Sequence, residues 1–258
     1  MTVSRFMVLS SLGIALLFPS PSLNAQISSQ LELQTELNGI NIDLNFQEGA
    51  NIIFTGTASS VAGRPAYNLN GSLQDEQPNV TLTGDGSRIL TVSGGLGRID
   101  GLCVVNSGGA AGDALATRGT IYVNGQITGG IHNSIFENNK DDATNHAVPS
   151  QNYRGVVINA LGLSGGINNT IFQNNEAALG GAVYLRGGGL AGGINNSQFI
   201  DNTTLYNFDS YGAAGLTIYQ GDLDGGINSS LFKNNAAAGG EGGAIRIRGN
   251  LKGGITDS

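Results

Sequence analysis

A tripeptide, Gly-Gly-Ile, recurs in the second half of the chain and constrains the fold more than any other feature. Its five copies begin at residues 129, 165, 192, 225 and 253. Seven residues after the start of each of the first four copies comes a Phe-x-x-Asn element, at Phe136, Phe172, Phe199 and Phe232. This fixed phase indicates a repeat architecture in which equivalent residues of successive units lie over one another.

Each unit also contains a short pair of apolar residues, eight or nine positions before Gly-Gly-Ile. These pairs are Ile121/Val123, Val156/Ile158, Val183/Leu185, Leu216/Ile218 and Ile245/Ile247. Only the distance from the Asn to the next pair varies widely, from 7 to 16 residues. Three fixed short segments and one variable corner predict an all-β fold, a right-handed single-stranded parallel β-helix, whose three-sided coils stack about 4.8 Å apart.

The composition agrees with many short strands joined by tight turns. The chain has 42 Gly among 258 residues, yet 40% of its residues are hydrophobic. Interior glycine disfavours helices by about 0.5–1 kcal/mol relative to alanine, and a chain so rich in apolar residues is not expected to be disordered. The paired glycines are expected at corners that need a positive φ or a close approach of backbones.

Side-chain alternation assigns faces to the strands. The residues predicted to point inward are Val183, Leu185, Ile245 and Ile247, and those predicted to point outward are Arg186, Arg246 and Arg248. The Phe of each repeat is constant while the residue before it varies, so the phenylalanines are predicted to form one stacked interior column. The Asn of each Phe-x-x-Asn is predicted to form a hydrogen-bonded ladder at one corner.

The ends of the chain suggest three segments. Residues 1–25 are predicted to be a signal peptide, because Arg5 precedes an apolar run over residues 6–18 that is too short to span a bilayer comfortably. Residues 26–80 are expected to hold an N-terminal cap and first, irregular coils, and residues 81–258 the β-helix repeats. The next Phe in phase would fall two residues after Ser258, so the chain is expected to end within a coil and to self-associate at that open edge.

The repeats resemble those of a known family. The Phe-x-x-Asn elements, with Gly-Gly-Ala-Val at residues 180–183 and Gly-Gly-Ala-Ile at 242–245, resemble the polymorphic outer-membrane protein repeats of autotransporters over roughly residues 80–258. Residues 212–216 depart from the Gly-Gly-Ala form. The resemblance implies a passenger without catalysis, secreted or displayed on the outer membrane of a Gram-negative cell, that binds a host or matrix glycan or protein in adhesion.

The family's C-terminal outer-membrane barrel is missing from this sequence. A truncated passenger or fragment is therefore expected, and it would be periplasmic if the barrel is truly absent. The alternative is a secreted polysaccharide lyase or hydrolase, because the same scaffold carries such enzymes. A lyase needs acidic Ca²⁺ ligands with an Arg or Lys base. The candidates are Asp222 and Asp224 near Arg246, or Asp141 and Asp142 in a corner loop.

The remaining polar residues give no catalytic, cofactor-binding or metal site. His132 occupies a position that holds Asn in the other repeats and is expected to be an outward substitution, and His146 lies in a polar loop. Cys103, the only cysteine, is interpreted as an unpaired small apolar residue rather than a thiol with a partner base. The net charge of −7 argues against a nucleic acid partner. We expect no cofactor.

Two further sets of residues have alternative interpretations. The long corner loops, residues 140–155 and 203–215, are the segments most able to bind a partner, and the second contains Tyr206, Phe208 and Tyr211. These aromatic residues either anchor a ligand or pack over the coil as a lid. Asn168, Asn195 and Asn228 begin Asn-x-Ser/Thr motifs, for which a structural role is favoured over glycosylation because they recur at one place in the repeat.

Overall fold

The computed structural model describes residues 26–39, 42–60, 62, 66–84, 86, 88–108, 119–140, 157–177, 181–205, 212–238 and 242–258. Over these residues the chain is an all-β parallel β-helix, so the predicted fold class is confirmed. Each complete coil, here called a rung, contributes one strand in turn to each of three parallel sheets. The predicted signal peptide lies outside the described residues.

The three sheets run along the stacking direction. In chain order, the strands of sheet 1 are Gln26–Ile27, Asp43–Phe46, Tyr67–Asn70, Leu96–Asp100, Ile131–His132, Ile167–Asn168, Ile194–Asn195, Ile227–Asn228 and Ile255–Thr256. Those of sheet 2 are Asn51–Phe54, Val80–Gly84, Leu102–Val105, Ile135–Glu137, Ile171–Gln173, Gln198–Ile200 and Leu231–Lys233. Those of sheet 3 are Ala58–Ser59, Leu90–Val92, Ile121–Val123, Ile158–Ala160, Val183–Leu185, Leu216–Ile218 and Ile245–Ile247.

Shorter ladders form at two corners of the later rungs. One comprises Glu176–Ala177, Thr203–Thr204 and Ala236–Ala237, and the other Leu190–Ala191, Leu223–Asp224 and Leu251–Lys252. An antiparallel hairpin, Leu73–Gln74 with Gln77–Pro78, projects between sheets 1 and 2 of an early rung. The regular coils therefore begin well before the Gly-Gly-Ile repeats do.

A helix over Gln30–Asn38 packs at the N-terminal end of the core. Ser29 caps it, and Leu33 and Leu37 are buried within the main hydrophobic cluster. The hydroxyl of Tyr67 donates a hydrogen bond of 2.8 Å to the carbonyl oxygen of Leu37, which ties the helix to sheet 1. The high glycine content of the whole chain disfavoured helices. Residues 30–38, however, contain no glycine, so a helix can form there.

The predicted interior column of phenylalanines is confirmed. Phe136, Phe172, Phe199 and Phe232 are directly in register on neighbouring strands of sheet 2. Their ring centroids are 4.8, 4.9 and 4.8 Å apart, with interplanar angles of 7°, 15° and 5°. Since the separation of neighbouring strands is itself about 4.8 Å, the rings repeat at the backbone spacing and exclude water from the centre of the coil.

One predicted strand pair has the wrong register. Ile158 and Ala160, rather than Val156 and Ile158, align with Val183 and Leu185 of the next rung. Val156 lies outside the described residues. Two β-branched residues, Val156 and Ile158, were a stronger strand signal than Ile-Asn-Ala. In the structure, however, Ala160 occupies the inward position, where its small side chain is fully buried.

The outward direction predicted for the arginines of sheet 3 does not by itself determine their exposure. Val183 and Leu185 are fully buried and Arg248 is exposed, as expected. Arg246, however, is only 8% exposed, because the outer face of sheet 3 is itself covered, and the outward side chain of Tyr184 is buried as well. Alternation therefore gave the direction of these side chains but not their burial.

The paired glycines confirm the corner geometry. Gly166, for example, has a φ of +77°. A Cβ atom there would lie 2.7 Å from the carbonyl oxygen of Gly192 in the next rung. Only glycine satisfies both constraints at this position without displacing the neighbouring coil.

Candidate interaction surface

The recurring Asn of each Phe-x-x-Asn element lies inside the coil. Asn139, Asn175, Asn202 and Asn235 form the predicted ladder: each of the first three side-chain amides donates to the carbonyl oxygen of the next, at 3.0, 2.9 and 2.9 Å. The same amides also donate to main-chain carbonyl oxygens, as Asn175 does to Phe136 at 3.0 Å. Asn139, Asn175 and Asn202 are buried, so this ladder satisfies the backbone at the corner between sheets 2 and 3 and is not a binding site.

A second ladder runs along the outside of sheet 1. Asn195 donates to Asn168 and Asn228 donates to Asn195, both at 2.8 Å. The structural role proposed for these residues is therefore confirmed. The hydroxyl residues of the three Asn-x-Ser/Thr motifs are at most 4% exposed, which argues against glycosylation of the folded chain. They are Thr170, Ser197 and Ser230.

His132 continues the outer ladder. It aligns with Asn168 on the next rung, whose side-chain amide lies 3.1 Å from its Nδ1. Its Nε2 lies 2.6 Å from the carbonyl oxygen of Gly129. Both ring nitrogens are therefore occupied by the same kind of contact that Asn makes elsewhere, as expected for an outward substitution.

The carboxylates considered for catalysis lie in a groove at the corner between sheets 3 and 1. Asp222 and Asp224 line this groove, which has a volume of about 250 Å³. Lys252 Nζ lies 2.5 Å from Asp222 and 3.2 Å from Asp224. The hydrogen bond from Lys252, followed by that from the backbone N–H of Asn250, lowers the pKa of Asp222. The hydrogen bonds from Lys252 to Asp222 and then to Asp224 raise the pKa of the lysine, which makes it a poor general base for a lyase.

Arg246 is not the cation that pairs with these two carboxylates. It lies on sheet 3 in register with Thr217, whereas Asp224 aligns with Lys252 at the corner. The predicted triad of Asp222, Asp224 and Arg246 is therefore replaced by a pair of carboxylates around Lys252. Sequence reasoning missed Lys252, although its position, two residues after Asn250 in the last repeat, matches that of Asp224 in the previous one.

The outer face of sheet 2 presents two rows of side chains in which apolar and polar residues are mixed. Across the four Phe-containing rungs, the first row is Ile135, Ile171, Gln198 and Leu231, and the second is Glu137, Gln173, Ile200 and Lys233. We call these eight residues the sheet 2 face. None is fully buried, and Leu231 is 45% exposed. Four of the eight side chains are aliphatic and at least partly exposed, so we consider this face as a candidate contact surface.

Cys103 lies on an earlier strand of the same sheet, aligned with Ile135. Burial raises the pKa of its thiol, and the Glu137 carboxylate raises it further. A thiol with a raised pKa is poorly nucleophilic at neutral pH, which fits its interpretation as a small apolar residue.

Several sequence candidates lie outside the described residues: Asp141, Asp142, His146, Tyr206, Phe208 and Tyr211. The same holds for most of the two corner loops that contain them. Within the described part of the chain, no group of three or more His, Cys, Asp or Glu side chains is arranged to hold a metal ion. The helix in that part is too short to cross a membrane.

Comparison with known proteins identifies no relative: no family model, curated protein or solved structure matches this chain.

Proposed function

We propose that this chain is the β-helical passenger of an exported bacterial protein and acts as an interaction scaffold without catalysis. The observation that carries the proposal is the use of its repeated polar residues. Within each ladder, the asparagine side chains hydrogen-bond to one another and to the backbone. The acidic pair of Asp222 and Asp224 forms ion pairs with Lys252. Exposed apolar surface remains on the sheet 2 face, where Leu231 is 45% exposed, and at separate positions elsewhere, such as Leu31 and Ile255.

Export and surface display rest on the sequence alone. The apolar N-terminal segment after Arg5 and the phased Phe-x-x-Asn repeats support them. Expression of the full chain in a Gram-negative host, followed by cell fractionation and N-terminal sequencing of the product, tests this part. Cleavage after residue 25 is the expected result. An intact N-terminus on protein in the cytoplasmic fraction would contradict it.

The ligand is proposed to be a host or matrix protein or glycan. The purified protein should bind selected members of an immobilised panel of matrix proteins and glycans. Substitution of Ile171 and Leu231 by Asp should weaken that binding, whereas Arg98→Glu, an exposed change on sheet 1, is the matched control. Equal binding by all variants would remove the sheet 2 face from the proposal.

A secreted polysaccharide lyase or hydrolase remains the second candidate, because Asp222 and Asp224 do line a groove. Incubation of the protein with pectins, alginates and other glycans, with and without Ca²⁺, decides between the two. The scaffold proposal expects no cleavage. Cleavage that is lost in both Asp222→Asn and Asp224→Asn would establish the enzyme instead.

A further inference from the structure

The sheet 2 face has a self-complementary arrangement of charge. Glu137 and Lys233 belong to the same row and are three rungs apart, so they stand at opposite ends of the four-rung face. The first row has Ile135 at one end and Leu231 at the other. The two ends of the face therefore carry opposite charges beside similar apolar side chains.

This arrangement fits a second copy of the chain in one orientation. A two-fold axis that is parallel to the strands and lies between the rungs of Phe172 and Phe199 makes the two solenoids antiparallel. Glu137 then faces Lys233 of the second copy, twice by symmetry, and Ile135 faces Leu231. In the middle of the face, Ile171 faces Gln198 of the second copy and Gln173 faces Ile200, which places Ile171 diagonally beside Ile200.

The alternative two-fold arrangement is much less favourable. If the axis is parallel to the long axis of the solenoid, each rung faces the same rung of the second copy. The first row of one copy then faces the second row of the other. Ile135 would then face Glu137, and Leu231 would face Lys233. Each apolar side chain at the ends of the face would desolvate a charged one.

The residues beside the face are compatible with the antiparallel orientation. The next position along these rungs is occupied by exposed residues with positive φ: Asn138, Asn174, Asp201 and Asn234. The same symmetry places Asp201 opposite Asn174 of the second copy and Asn138 opposite Asn234. These pairs bring together amides and one carboxylate, and no two like charges meet.

We propose that the sheet 2 face binds a second copy of this chain in an antiparallel, face-to-face homodimer. This inference concerns the same face that the proposed function gives to a ligand, so a second copy bound there would compete with that ligand. Four rungs spaced about 4.8 Å apart give a contact well below the standard size of about 800 Å² per partner. The dimer is therefore weak, and its population rises over a concentration series that reaches roughly 1 mM.

Charge exchange tests the orientation. In sedimentation velocity runs on the full chain, Glu137→Lys and Lys233→Glu should each weaken the dimer roughly tenfold, because each creates two like-charge contacts. The double variant should restore it. Arg98→Glu, a charge reversal on sheet 1, should leave dimerisation unchanged. Circular dichroism and a thermal melt of each variant verify that the fold is retained.

Two outcomes of this experiment would overturn the dimer itself, and a third would overturn its proposed pairing. One is a monomer at every concentration. The other is a dimer that both single variants retain, which would place the contact elsewhere, for instance at the last rung. A double variant as weak as the single ones would also reject the pairing of these two residues.

A cross-linking experiment reads the register directly. In a Cys103→Ser background, single-cysteine variants Ile135→Cys and Leu231→Cys are treated with a bis-maleimide of about 10 Å, the usual separation of packed sheets. A covalent dimer should form when the two variants are mixed and be nearly absent with either variant alone. Efficient cross-linking of Ile135→Cys to itself would contradict the antiparallel arrangement.

Discussion

Replacement of Asn175 by alanine removes one amide from the centre of the buried ladder. Its Oδ1 accepts from the backbone N–H and the side-chain amide of Asn139, at 3.1 and 3.0 Å. Its Nδ2 donates to Phe136 O at 3.0 Å and to Asn202 Oδ1 at 2.9 Å. Four hydrogen bonds at about 1 kcal/mol each give a loss of about 4 kcal/mol in the free energy of unfolding.

Urea unfolding measured by far-UV circular dichroism checks this value. For a chain of this size, about 4 kcal/mol corresponds to a fall of roughly 1–2 M in the urea midpoint. Gln173→Ala, on the outer face of the same strand, is the matched control and should cost about 0.5 kcal/mol or less. A midpoint for Asn175→Ala that equals the control's would show that the ladder contributes no net stability.

Replacement of Asn175 by aspartate tests the direction in which stability changes with pH. In Asn175→Asp the new carboxylate would face Phe136 O and Asn202 Oδ1, both acceptors, in a buried site. Its ionised form is therefore disfavoured, and its pKa in the folded state is raised above the unfolded value. The variant should be least stable at pH 7 and should recover as pH falls through that raised pKa. Stability that declines uniformly towards acid pH would refute this reasoning.

Three further predictions follow from the packing and the charges. Phe172→Ala should cost about 3–5 kcal/mol in urea unfolding, since a fully buried ring leaves a cavity; a loss below 1 kcal/mol would contradict the column. Gly166→Ala should lower the melting temperature more than Gly86→Ala does. Both glycines have a positive φ, but only at Gly166 does backbone lie within 4 Å of the added Cβ. Equal effects would contradict the close approach of neighbouring rungs. The Asp222 pKa is lowered by Lys252, so the stabilisation it gives is present above the unfolded pKa and is lost as pH falls through the folded one. The difference in melting temperature between the native chain and Asp222→Asn should accordingly vanish at low pH.

The stacked interior was predictable because each of its elements recurs at a constant spacing. Phe172 and Asn175 keep their distance from Gly-Gly-Ile in every complete repeat, and stacking requires only that distance to be constant. The register of Ile158–Ala160 was not predictable in the same way. It follows the longest variable segment, where the sequence gives no fixed distance from which to count.

The outer surface was harder to predict, since it depends on which segments cover a sheet. Alternation placed Arg246 outside, but burial of the outer face of sheet 3 is set by tertiary packing that one strand's sequence does not contain. The role of Lys252 beside Asp222 and Asp224 is a similar case, because it depends on the alignment of two rungs. The sheet 2 face was missed because Ile171 and Leu231 were considered only as variable neighbours of the interior phenylalanines.

The stacking of rungs underlies the whole fold, and distances between spin labels measure it most directly. In a Cys103→Ser background, nitroxides at Ile53 and Lys233 lie in one outward row of sheet 2, six rungs apart although 180 residues separate them in sequence. Pulsed dipolar spectroscopy on dilute protein should give a narrow distribution centred near 29 Å. Moving the first label to Thr83 should shorten the distance by about 4.8 Å. A broad distribution, or a distance that does not shorten by one rung, would contradict the β-helix.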